Sequence, residues 1–119
     1  MKKHAFAVKF EIEALRHLLA TDERWAKRAL VRIYNAQTQD EKSNSETYYE
    51  NGVGFNGSDA RLLTKIAKWY LDKDYIGAGY MKIVHDRIQK YASQIFGLPD
   101  FDHEKFDKKV ADMVEKKEI

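Results

Sequence analysis

The chain has 119 residues, 44% of them hydrophobic and 34% charged, which is enough for one domain with a core of its own and too few for two. It has no cysteine, which excludes disulfides, a thiolate metal site and a cysteine nucleophile, and fits a reducing, cytoplasmic setting. A formal charge of +2 excludes an acidic imitation of DNA and is too small to define a nucleic-acid binder, so the placement of the charges matters more than their sum.

Met1-Lys2-Lys3-His4 leads into apolar residues interrupted by Lys9, Glu11 and Glu13, a pattern with no signal-peptide core and no membrane span. Phe6, Val8, Phe10 and Ile12 alternate with polar residues, which predicts a half-buried strand. The spacing of Phe6 and Phe10 equally suits a helix running to Leu19. Both readings stay open as far as Ile12, and helix is expected from Glu13 onward.

Thr21-Asp22-Glu23 reads as a helix start, with Thr21 as the capping hydroxyl and acids in the first turn. The helix is expected to reach about residue 38, with Trp25, Ala29, Ile33 and Ala36 in an apolar stripe widened by Ala26, Leu30 and Tyr34. Arg24, Arg28 and Arg32 follow on a neighbouring face, read as a solvated face with a binding stripe as the alternative. The polar run from Gln39 to Glu46 predicts a helix end and an exposed loop, and Tyr48-Tyr49 return the chain to the core.

Residues 51–58 form a glycine-studded hinge, Asn51-Gly52-Val53-Gly54-Phe55-Asn56-Gly57-Ser58, whose glycines supply positive φ or close backbone approach. Ser58 is the expected cap of the next helix, about 59–71. There Leu63, Ile66, Ala67, Tyr70 and Leu71 face inward, Leu62 and Trp69 widen the stripe, and Arg61, Lys65, Lys68 and Asp72 lie opposite. After the break at 72–79 a second helix, about 79–96, turns Tyr80, Val84, Ile88, Tyr91, Ala92 and Ile95 inward. The short connection predicts an antiparallel hairpin. Gly97 and Pro99 end it. Asp102 caps a last helix to about 117, whose narrow stripe of Phe106, Val110, Met113 and Val114 suits a surface helix or a homodimer contact.

The hinge followed by a helix invites comparison with phosphate loops, but it has neither the Gly-Lys-Ser/Thr of a P-loop nor the strand and distal acid of a dinucleotide site. A structural turn is the main reading, and contact with a phosphate or a protein partner is the other. His4, His17, His85 and His103 are too far apart in sequence for a local metal pair. His85-Asp86 lacks a nucleophile, and Glu11 and Glu13 have no apolar pocket to raise a pKa. No enzyme activity, cofactor or metal is expected.

The run Asn51-Gly52-Val53-Gly54-Phe55-Asn56-Gly57, then Asp59-Ala60, and a second helix ending Lys90-Tyr91-Ala92-Ser93-Gln94-Ile95 resembles a short module of small uncharacterised bacteriophage and plasmid proteins. It is also similar to segments appended to Swi/Snf-type helicase-like ATPases. The likeness covers about residues 26–95. Where members begin the second helix with a Leu-(Ser/Thr)-Pro-Lys-Gln type sequence, this chain has Tyr75-Ile76-Gly77-Ala78-Gly79-Tyr80. The resemblance implies a binding module of mobile-element origin.

The expected fold is therefore mainly α: one domain over 1–119, with an N-terminal strand or helix (1–20), a helical core (21–97) centred on the hairpin, and a C-terminal helix (98–119). Two kinds of partner fit. In the first, Arg61, Lys65, Lys68, Lys82, Arg87 and Lys90, with Phe55 or Trp69 at the rim and Asn56 in the loop, grip a nucleic-acid backbone weakly and without reading sequence. In the second, an exposed aromatic and charged surface occupies a host defence protein, as an anti-CRISPR-like inhibitor does.

Overall fold

The alternating run at the N-terminus coils rather than extends. The computed structural model describes residues 5–44 and 54–118, with side chains at 9–37 and 54–118, and its first element is helix α1, Ala5–Thr21. Ala14, Leu15, Leu18 and Leu19 are buried at helical spacing, while Phe10 is exposed. A strand would need a neighbour to satisfy its backbone, and no strand occurs among the described residues.

Asp22 alone separates α1 from α2, Glu23–Asn44, and it is the cap: its carboxylate accepts from the backbone N–H of Arg24 at 3.0 Å and of Trp25 at 3.3 Å. Thr21, the expected cap, instead donates its hydroxyl to the His17 carbonyl at 2.9 Å. Helix α2 also outruns the expected end near 38. Residues 39–44 are polar, yet Gln, Glu and Lys are good helix formers, so polarity alone does not make a loop. Residues 45 and 46, Tyr48, Tyr49 and Gly52 lie outside the described residues.

Helix α3 spans Gly57–Lys73 and α4 spans Ala78–Ile88; a 3-10 turn, Gln89–Tyr91, joins α4 to α5, Ala92–Phe96. The single helix expected over 79–96 is thus broken by one tighter turn. Helices α3 and α4 are neighbours, but α4 packs more extensively on α1 and α2, which makes α1 as central as the expected hairpin. Leu15, Leu19, Leu30, Ile33, Leu63, Val84 and Ile88 are fully or almost fully buried in a shared core. His85 adds a polar tie: its Nδ1 lies 2.8 Å from the Leu19 carbonyl, which only accepts, so Nδ1 carries the proton.

Two apolar residues expected inward are exposed. Leu71 and Tyr80 each sit beside the buried arc of their helix, where Leu63, Ile66 and Ala67 on α3 and Met81, Val84 and Ile88 on α4 fill the core. Helix α6, His103–Glu115, is capped by Asp102, which accepts from Lys105 N–H at 2.9 Å as expected. It lies on the surface, as expected, with most of its residues exposed, and is anchored by two buried side chains, Phe106 and Met113. Phe106 is fully buried with its ring centroid 5.9 Å from Trp25, 6.0 Å from Phe96 and 5.5 Å from Phe101. Burying such a side chain contributes about 1.5–3 kcal/mol, and with Met113 also buried the stripe offered for a homodimer is largely used within the chain.

Candidate functional site

Two features use the residues singled out in the sequence, and they are chemically different. The first is a lock around the hinge. Gly54 has φ +107°, and a Cβ there would meet Gln37 Oε1 at 3.2 Å, so this position needs glycine on both counts. Gly57, by contrast, has open space around it.

Side chains from distant helices satisfy the backbone of this bend. Gln94 accepts from Gly54 N–H at 2.8 Å and donates to the Gly54 carbonyl at 3.2 Å. Gln37 accepts from Phe55 N–H at 3.1 Å and donates to Thr64 Oγ1 at 3.2 Å. Tyr91 accepts from Asn56 N–H at 2.9 Å. Asn56, and not Ser58, caps α3: its side-chain Oδ1 accepts from Asp59 N–H at 3.1 Å, and the Ser58 hydroxyl donates to the same oxygen at 2.9 Å.

Asp59, only 1% exposed, closes the lock. Arg87 reaches its Oδ1 at 3.0 Å, while Lys90 at 2.8 Å and the Tyr91 hydroxyl at 2.7 Å reach Oδ2. Burial pushes the Asp59 carboxyl up, but hydrogen bonds from Lys90, Tyr91 and Arg87 together outweigh it and hold the group below its ordinary value. Burial and donation to Asp59 push the Tyr91 phenol well above its ordinary value.

This lock corrects the expected basic face. Arg87 and Lys90 are ion-paired to Asp59, and Phe55 is not a rim aromatic but a buried ring packed edge-on against Tyr91 at 5.8 Å. Asn56 is exposed, yet its side chain is committed to the cap. Lys82 is exposed two positions beyond Tyr80, about 200° around α4, and so faces away from it. The cations do not form one face.

The second feature is a groove of about 490 Å³ on the outer side of α3 and the start of α4, lined by Leu62, Lys65, Ile66, Trp69, Ile76 and Tyr80. Ile66 and Ile76 are buried and form its floor, whereas Trp69 is 47% exposed and Tyr80 58%. Tyr75 is 54% exposed and meets the Trp69 ring edge-on at 6.0 Å, with Lys73 Nζ 5.8 Å above that ring. Arg61, Lys65 and Lys68 are exposed on α3 and form no ion pair among the described residues.

Of the expected site residues, then, the structure gathers Arg61, Lys65, Lys68 and Trp69 on α3. Sequence reasoning missed Tyr80, Ile76 and Tyr75. The available signal was the breadth of apolar residues on α3: Leu62, Ile66 and Trp69 extend the stripe further round than one buried face needs. A second hollow of about 20 Å³, bordered by Trp25, Arg28, Arg32 and Phe101, has room for little more than a water.

No helix among the described residues is long and apolar enough to cross a membrane. Comparison with protein-family models, curated proteins and solved structures gives no match, so the site is read from its geometry.

Proposed function

We propose that the chain is a non-catalytic binding module of mobile-element origin that holds a protein partner, of the host defence or nucleic-acid-processing class, against the outer face of α3 and the start of α4. The observation that carries this reading is the apolar groove between Trp69 and Tyr80, two large aromatic side chains left half-exposed beside a buried floor. Trp and Tyr concentrate binding energy at protein interfaces because they bring a large apolar area with few rotatable bonds. The mobile-element origin is supported by the resemblance of residues 51–60 and 90–95 to phage and plasmid modules.

Sequence-independent nucleic-acid contact is the second reading, favoured by Arg61, Lys65 and Lys68, which form no ion pair among the described residues. It is weaker because Arg87 and Lys90 are occupied by Asp59 and Lys82 points elsewhere. The two readings separate in a capture experiment on nuclease-treated bacterial lysate, using immobilised full chain and its Trp69→Ala variant. A stoichiometric protein kept at moderate salt and lost with Trp69→Ala supports the proposal. Capture that vanishes on nuclease treatment, or that ignores the substitution, overturns it.

A further inference from the structure

Helix α3 carries three parallel stripes, of which one is fully buried among the described residues. Asp59, Leu63, Ile66 and Ala67 face inward. Leu62 and Trp69, seven residues apart and so about two turns, stand on the groove side with Lys65 between them. Arg61, Lys65 and Lys68 then form a basic edge along the apolar one. No acid interrupts that edge between Ala60 and Leu71; Asp72, one turn beyond Lys68 on the same side, ends it and is ion-paired to Lys73 at 3.4 Å.

We infer that the occupant of this groove is an amphipathic helix of a partner protein, with a bulky apolar stripe at spacing i, i+3, i+4, i+7 and glutamates or aspartates along one flank. The inference rests on the protein-partner reading above and adds the chemistry of what is recognised. An apolar groove whose wall follows a helix over two turns is complementary to a second helix lying alongside it. The partner's apolar stripe covers Leu62, Ile66, Trp69, Ile76 and Tyr80. Its acids meet Arg61, Lys65 and Lys68, which have no carboxylate of their own among the described residues.

A second copy of this chain is a poor occupant. Pairing α3 with α3 sets Arg61, Lys65 and Lys68 of both copies into one interface with only Asp72 of each copy, at the end of the same edge, to balance them, so like charges oppose the association. A nucleic-acid strand satisfies the basic edge and is the competing occupant in the test below.

The test is selection of binders to the full chain from a displayed library of helical peptides about 20 residues long. Each has fixed apolar positions and either Glu or Lys along the flank. The expected result is enrichment of Glu-flanked peptides, a loss of affinity of about tenfold or more with Trp69→Ala, and a reversal of preference toward Lys-flanked peptides with the double variant Lys65→Glu, Lys68→Glu. Those side chains are exposed, and an unchanged thermal unfolding curve confirms that each variant is folded. Selection of no peptide, or a flank preference that the double variant leaves unchanged, overturns the inference. If lysate capture nevertheless still depends on Trp69, the protein-partner reading survives without it. Binding of a labelled oligonucleotide that competes for the same face overturns both.

Discussion

The side-chain amide of Gln94 pairs with the Gly54 peptide unit on both of its hydrogen-bonding groups, accepting at 2.8 Å and donating at 3.2 Å across 40 positions of sequence. It thereby does for a bend what a neighbouring strand does for an extended segment. Replacing Gln94 by Leu leaves a buried N–H and carbonyl of residue 54 unsatisfied and is expected to cost about 1–3 kcal/mol. Urea unfolding measures it, and a midpoint equal to the wild type's contradicts the role given to this pair.

Glycines that look alike in the sequence are predicted to behave differently. Gly54→Ala forces a positive φ of 107° on a residue with a Cβ and pushes that Cβ toward Gln37, so a loss of about 1–3 kcal/mol is expected. Gly79→Ala, in the first turn of α4 with open space around it, is expected to stabilise by about 0.5–1 kcal/mol. Thermal unfolding of the two single variants should move in opposite directions.

The Asp59 cluster gives the molecule a defined pH dependence. The folded-state carboxyl is held below its unfolded value of about 3.9, so its contribution is present above that pH and is lost as pH falls through the lower folded value. Tyr91 is raised, so its contribution is intact below the unfolded phenol value of about 10 and is lost as pH climbs from there toward the folded value. Asp59→Ala should cost about 2–3 kcal/mol near neutrality, below the 3–5 of a fully buried pair because Arg87 and Lys90 retain solvent contact. It should also flatten the acid limb of stability against pH. Tyr91→Phe should flatten the alkaline limb.

The groove residues should separate binding from folding. Trp69→Ala and Tyr80→Ala remove half-exposed side chains and are expected to change stability by no more than about 0.5 kcal/mol. Each should weaken partner capture about tenfold or more. A variant that unfolds the domain instead would place these rings in the core.

The helices were legible because their apolar residues recur with the right period: α3, the Asp102 cap and the inward set of α2 needed nothing beyond local sequence. The N-terminal run misled because Phe6, Val8, Phe10 and Ile12 satisfy two periods, and whether a strand finds a partner depends on distant parts of the chain; no strand occurs among the described residues. The hinge lock was hidden for a related reason. Asp59 meets Arg87 and Tyr91 across 28 and 32 positions, and nothing local joins them. One sign was present: Gln37 falls four residues after Ile33 on the buried stripe of α2, and Asp59 four before Leu63 on that of α3. A polar side chain at a core position needs a partner, and here those partners are the hinge backbone and the cations once assigned to binding.

The sharpest test is heteronuclear NMR of the full chain titrated with a helical peptide that carries the apolar spacing and a glutamate flank. The predicted result is shifted or broadened amide signals at residues 61–69 and 75–80, with Asn56, Asp59, Arg87 and Lys90 unmoved. Shifts centred instead on residues 56–59 and 87–90, or elicited by an oligonucleotide and not by the peptide, would contradict it.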